Sequence, residues 1–312
     1  MAPTDERTPV SSAHTGRFAP SPTGALHLGN LRTALLAWLF ARSAGAAFLV
    51  RMEDLDQAVA RPEHERQQLA DLAAIGLDWD GPVVRQSERR VVYAQAIDDL
   101  TARGLTYPCY CSRREIREAA SAPHGRQADG AYPGTCRDLA ASARRRMEDA
   151  GRPAALRLRS DGEVVHFVDR LAGPFVGLVD DLVLRRGDGT PAYNLAVVVD
   201  DAAQGVGEVV RGDDLLASTP RQIHLARLLG IVPPSYAHVP LALGPDGSRL
   251  AKRHGAVSLA DLADAGLGPA AVLGRLAASA GLVEPGAPVD LATLVADFDP
   301  SRIPRDPWRP FG

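Results

Sequence analysis

Two prolines and two glycines within ten residues, Pro20, Pro22, Gly24 and Gly29, separate a short strand at Arg17 from a helix near Leu31. Proline locks φ and removes a backbone donor, so neither element can run through this stretch. The apolar stripe Leu31, Leu35, Trp38 and Leu39 predicts the helix over Leu31 to Arg42. Strand, rigid turn and helix in that order suit the opening of an α/β nucleotide fold. Gly24 and Gly29 let a ligand approach the backbone, and the helix N-terminus offers free N–H groups and a positive dipole to phosphate. His27 adds a ring donor just before that terminus.

A second feature lies far along the chain. Lys252 is the only lysine among 35 basic residues, and it falls in Ser248-Arg249-Leu250-Ala251-Lys252-Arg253-His254-Gly255. A compact ammonium on a long stem can follow a phosphate that moves during reaction, where an arginine fork is wide and planar.

Together the two segments resemble the HIGH and KMSKS signatures of class I aminoacyl-tRNA synthetases, in His27-Leu28-Gly29-Asn30 and Arg249-Leu250-Ala251-Lys252-Arg253. Asn30 stands where the family often has a second histidine, and Ala251 replaces the usual serine. The stretches Arg17 to Gly24, Val50 to Asp56, Gly76 to Asp80, Gln86 to Arg89, Ala192 to Asp201 and Val210 to Leu215 are similar to the glutamyl branch. The resemblance covers residues 15–256.

Composition sets limits on the partners. The sequence is 46% hydrophobic and 23% charged, with no apolar run of membrane-spanning length. The polar start, Met1 to Thr15, lacks a signal core, so a cytoplasmic protein is expected. A formal charge of −3 means that RNA must be held by local arginine patches rather than a global field. Candidate patches are Arg113-Arg114, Arg144-Arg145-Arg146 and Arg185-Arg186.

The pattern predicts α/β architecture: a Rossmann-type, doubly wound parallel sheet with an inserted subdomain and a short helical tail. Residues 1–14 read as an extension and 15–108 as the first half of the core, with a strand at Ala47 to Met52 and helices at Glu63 to Ile75 and Glu88 to Arg103. Residues 109–190 change character, with short strands at Leu156 to Arg159 and Val164 to Val168. Alternation resumes over 191–258, with a helix at Thr219 to Leu229 and a strand near Ala237 to Leu241. Residues 259–312 are expected to be helical, then Pro-rich, leaving no room for the helical anticodon-binding portion of a glutamyl-tRNA synthetase. In that the chain resembles the short glutamyl-Q tRNA(Asp) synthetases.

All three cysteines lie close together as Cys109, Cys111 and Cys136. An odd count in a cytoplasmic chain fits a disulfide poorly, which leaves a zinc site or plain buried thiols, and the zinc site is the expectation. Three thiolates need a fourth ligand. General chemistry favours His124, whereas the resemblance implies Tyr132, from Tyr132-Pro133-Gly134-Thr135-Cys136.

The resemblance also implies a reaction. Glutamate carries two carboxylates and an ammonium, so its pocket needs cations and an anion. The family's glutamate site falls on Arg17, Phe18, Ala19, Pro20, Ser21, Glu53, Tyr193 and Arg211, and its ATP site on His27, Gly29, Asn30 and Lys252. His27 and Lys252 are the expected catalytic residues. The implied partners are L-glutamate, ATP with Mg2+, and tRNA(Asp) carrying queuosine, with no membrane, one structural zinc and a monomeric state. Two alternatives stay open: a truncated glutamyl-tRNA synthetase charging the 3′ end of tRNA(Glu), and a non-catalytic RNA-binding relative.

Overall fold

The computed structural model describes residues 14–120, 132–250 and 258–310. Lys252, Ala251, Arg253 and His124 lie outside the described residues. The chain opens as β1 (Gly16–Phe18), α1 (Leu28–Ser43), β2 (Phe48–Met52), α2 (Pro62–Ala74), β3 (Val84–Arg85) and α3 (Arg90–Ala102). There follow β4 (Thr106–Cys109), α4 (Arg113–Ala120), α5 (Ala141–Asp149), β5 (Ala155–Leu158), β6 (Val164–Asp169), β7 (Gly173–Leu178) and β8 (Val183–Arg185). Next come α6 (Tyr193–Ala203), β9 (Glu208–Gly212), α7 (Thr219–Leu228) and β10 (Ser235–Val239), then α8 (Leu259–Asp264), α9 (Pro269–Ser279) and α10 (Leu291–Ala296).

β1, β2 and β3 pair in parallel, as do β9 and β10. The amides of Gly207 and Glu208 both donate to the Thr15 carbonyl, which joins the two sheets beside β1. Chain order therefore reverses between β1 and β9, the switch point at which ligands bind in open α/β sheets, outside the carboxyl ends of the strands. The intervening strands are antiparallel instead: β4–β5–β8 form one small sheet and β6–β7 a hairpin.

Helix α1 starts at Leu28, three residues before the apolar stripe alone predicts, because its cap lies at His27. It is buried nearly all round, from Leu28 through Ala41, between the parallel strands and the C-terminal helices. Each fully buried leucine, such as Leu31, Leu35 or Leu39, contributes about 1.5–3 kcal/mol. The stretch at Tyr193 is likewise a helix, with a continuous buried run from Leu195 to Asp201. Arg32, 1% exposed, ties α1 to the rest: its Nη1 donates to Pro240 O at 2.7 Å and its Nε to Ser279 Oγ at 3.1 Å.

Candidate active site

The Pro/Gly turn is held from two sides. Glu53 N donates to Pro20 O at 2.9 Å, and Gln68 Nε2, from α2, donates to Ser21 O at 3.0 Å and Gly24 O at 2.7 Å. At the start of α1, His27 and Asn30 form a reciprocal cap. Asn30 N donates to His27 Nδ1, and His27 N donates to Asn30 Oδ1, both at 3.2 Å. Asn30 is thus a capping residue for the N-terminus of α1. Because Nδ1 accepts, the proton of a neutral His27 ring sits on Nε2, a donor. Gly29 makes this possible: a Cβ there would meet the His27 ring and Ala242 Cβ at 3.1 Å.

Beneath the turn lies a buried charge network. Arg51, fully buried in β2, places Nη2 2.8 Å from Asp201 and 3.8 Å from Glu53, with Nε 3.7 Å from Asp200. Burial would lower Arg51, but Asp201, Glu53 and Asp200 together raise it, so it stays charged. Burial would likewise raise Asp201, yet Arg51 and Arg17 hold it below its ordinary value. Arg17 reaches Asp201 Oδ1 at 3.4 Å and Val210 O at 3.2 Å. Glu53 differs: burial dominates Arg51 and Arg17 and pushes its carboxyl up to about 7. Desolvation together with the neighbouring charge of Glu53 raises the Tyr193 hydroxyl, so it remains a donor at neutral pH.

Arg17, Glu53 and Tyr193 border a cleft of about 760 Å³ at the switch point, and Arg51, Asp200 and Asp201 are not among its lining. Arg17, Phe18, Ala19, Pro20, Ser21, His27, Gly29, Asn30, Glu53, Tyr193 and Arg211 all line it. Arg249 and Leu250 reach the same cleft, where Arg249 Nη1 pairs with Asp214 Oδ2 at 2.6 Å. Two cations, one carboxyl poised near neutrality, a phenol and a helix N-terminus can together hold an amino-acid zwitterion beside a polyphosphate. Sequence reasoning passed over Arg51, Asp200 and Asp201 as functional groups. The signal was present in Val50-Arg51-Met52, a charge set inside a buried strand.

The cysteines gather elsewhere. The sulfurs of Cys109, Cys111 and Cys136 lie within 4.8 Å of one another, with Cys111 and Cys136 at 3.5 Å. The Tyr132 hydroxyl is 3.3 Å from Cys109 Sγ and 3.8 Å from Cys111 Sγ, and it accepts from Cys136 N at 2.8 Å. A tetrahedral zinc with bonds of about 2.3 Å to sulfur and 2.0 Å to oxygen has edges of about 3.5–3.8 Å, close to the Cys111–Cys136, Tyr132–Cys109 and Tyr132–Cys111 separations, so the cluster could hold a metal ion. The Arg157 guanidinium lies 3.6 Å from the Tyr132 ring centroid. Despite burial, Tyr132 and Arg157 hold the Cys109 thiol below its ordinary pKa.

The family of class I tRNA synthetases (E and Q), catalytic domain, matches residues 14–280. A glutamyl-Q tRNA(Asp) synthetase of Nocardia farcinica is 64% identical, over 94% of this chain and 92% of its own. A glutamate–tRNA ligase of Halorhodospira halophila is 44% identical over 94% of this chain and 64% of its own. A glutamate tRNA ligase of Elizabethkingia meningosepticum, solved in complex with its amino acid, superposes with a TM-score of 0.79 at 27% identity. That match covers 94% of this chain and 66% of the solved one, so the chain spans about two thirds of its length.

Proposed function

The chain belongs to the class I glutamyl and glutaminyl tRNA synthetase family, and we propose that it activates L-glutamate with ATP and transfers it to the queuosine base at the wobble position of tRNA(Asp). The observation that carries this reading is the cleft in which Arg17, Arg211, Glu53 and Tyr193 meet the N-terminus of α1. The similarity to glutamyl-Q tRNA(Asp) synthetases across nearly their whole length supports the choice of acceptor.

In this reading Arg17, Arg211 and the Tyr193 hydroxyl receive substrate carboxylate, and ionised Glu53 receives the ammonium. Phe18 to Ser21 shape the wall between them. The α-carboxylate attacks the α-phosphorus of ATP, the bond to the bridging oxygen breaks, and pyrophosphate leaves with Mg2+. His27, Gly29 and Asn30 position the triphosphate at the helix N-terminus, and Lys252 neutralises the charge that builds on it. A queuosine hydroxyl then attacks the carbonyl carbon of the anhydride and AMP departs. Positioning and charge stabilisation are all that the protein must supply. Cys109, Cys111, Tyr132 and Cys136 would hold one zinc, which cross-links that part of the chain and takes no part in the reaction.

Transfer of radiolabelled glutamate tests the proposal. An isolated tRNA(Asp) anticodon stem-loop with queuosine should accept glutamate, the same loop with guanine should not, and tRNA(Glu) should stay uncharged. A single-stranded loop displays its wobble base openly, which makes the isolated stem-loop a sufficient substrate. Glutamate on the 3′ adenosine of tRNA(Glu) at a comparable rate would replace this reading with a truncated glutamyl-tRNA synthetase.

A further inference from the structure

Arg211 has one terminal nitrogen without a protein partner although it is buried: Nη1 makes no hydrogen bond, while the residue borders the cleft. Nε and one proton of Nη2 are occupied. Nε donates to His238 Nε2 at 3.1 Å, and Nη2 donates to Thr219 Oγ1 at 2.8 Å. Nε and Nη2 share the side edge of the guanidinium fork, so that edge is closed. The terminal edge, Nη1 with the second proton of Nη2, is what remains for a carboxylate.

The side edge is held by sheet register. Arg211 in β9 and His238 in β10 are partners across parallel strands. His238 is 2% exposed, and its Nδ1 meets Asp169 Oδ2 at 2.6 Å. The other oxygen of Asp169 is saturated by backbone: Leu171 N at 3.0 Å, Ala172 N at 2.8 Å and His238 N at 3.1 Å all donate to Oδ1. Asp169 can therefore neither rotate nor offer another atom to the ring. An arginine Nε only donates, so His238 Nε2 must accept, and the ring proton must sit on Nδ1 facing Asp169. Burial keeps the ring below its ordinary pKa despite Asp169, in line with a neutral imidazole. Tyr236 supports the arrangement from one side, its ring 5.5 Å from the Arg211 guanidinium.

We propose that Asp169 and His238 are positioning residues for substrate selection: by fixing the histidine tautomer they close the side edge of Arg211 and present its terminal edge to the substrate carboxylate. Thr219 completes the clamp. Neither Asp169 nor His238 borders the cleft, so they act only through Arg211. The proposal rests on the reading of the cleft as a glutamate site. It adds that the discrimination of glutamate from glutamine depends on a hydrogen-bond relay lying behind the pocket. A guanidinium free to turn could offer its side edge or water-bridged contacts, and would lose the geometric preference for a carboxylate.

Asp169→Asn isolates the relay from shape. With Oδ1 committed to three backbone donors, the amide nitrogen must take the Oδ2 position and donate to His238 Nδ1. That places the ring proton on Nε2, donor against donor with Arg211 Nε. Glutamate- and ATP-dependent pyrophosphate exchange by the full chain should show a glutamate KM raised by about tenfold or more, with the ATP KM unchanged. His238→Leu should behave the same way, whereas His238→Gln, whose carbonyl can stand near the lost Nε2, should recover part of the affinity. Discrimination against glutamine should fall in parallel with the rise in glutamate KM. A wild-type glutamate KM in Asp169→Asn, equal losses for ATP and glutamate, or identical behaviour of the two His238 variants would overturn the proposal. Nitrogen-15 NMR of the imidazole decides the tautomer independently of activity. Protonated Nε2 in the wild-type protein would overturn the relay, while wild-type protein with no glutamate-dependent exchange would instead overturn the reading of the cleft.

Discussion

Beneath the cleft, Arg17, Arg51, Glu53, Asp200, Asp201 and Arg211 converge from β1, β2, α6 and β9, whereas Cys109, Cys111, Tyr132 and Cys136 come from one continuous stretch around the end of β4. Both regions bury polar groups, and both must compensate them. The cleft floor does so with ion pairs and with neutral partners, Gln86 and the Tyr93 hydroxyl on Asp200 and Gln204 on Arg51, drawn from distant parts of the sequence. The cysteine cluster does so with soft donors at the edge lengths of a metal polyhedron, under the Arg157 guanidinium. Among the described residues none between 69 and 192 lines the cleft, so the two assemblies are separable by experiment. One is expected to set the chemistry, the other the stability of its neighbourhood.

The largest expected effect is on the floor. Arg51→Met takes from Asp200, Asp201 and Glu53 the cation they share, leaving Asp201 to Arg17 and Asp200 to Arg89, and should cost about 3–5 kcal/mol of stability, the usual cost of removing one partner of a buried ion pair. Chemical denaturation checks it. A loss comparable to that of a surface ion pair would dissolve the contrast between a network that must be complete and one that is incidental.

Metal removal addresses the other side. Chelation of the whole protein should release about one zinc per chain and lower Tm, while glutamate-dependent exchange at a temperature below the new Tm persists. Exchange that disappears with the metal, in protein still folded by circular dichroism, would show that the regions are coupled.

The smallest effect is a pH profile. Glu53 is raised to about 7 from an ordinary value of 4.5, so its protonated form stabilises the fold. That contribution is complete below 4.5 and is lost as pH rises through about 7. Ammonium binding needs the ionised form, so the glutamate KM should fall as pH rises through about 7, by at most about tenfold per pH unit. Glu53→Gln should bind glutamate weakly and without this dependence. An unchanged profile in that variant would remove Glu53 from the ammonium site.

Patterns of short range were legible in the chain itself. The breaks at Pro20 to Gly29 and the stripe from Leu31 to Leu39 located a strand, a turn and α1, because proline geometry and helical period act within a few residues. The cap shared by His27 and Asn30 was not foreseen, although its residues were in view, since an Asn closing a box on a histidine is an uncommon pairing. The closeness of the cysteines in sequence already confined them to one locality. Only folding brought the Tyr132 hydroxyl to 3.3 Å from Cys109 Sγ, across 23 residues of chain.

What the sequence determined alone was the succession of elements and the types of side chain available at the strand ends. Tertiary structure decided which of them face each other. Arg51 looks in the sequence like one arginine among 34, and its special position comes from lying fully buried between Glu53, just past the end of β2, and Asp200 and Asp201 on α6. Arg211 meets His238 only because β9 and β10 pair in that register, with Asp169 delivered from β6. Period and turn chemistry are local forces, read over a few neighbouring residues. Register, burial and the dielectric around a charge are set by residues tens to more than a hundred positions away, and these fix which arginine is a structural counter-ion and which can bind a ligand.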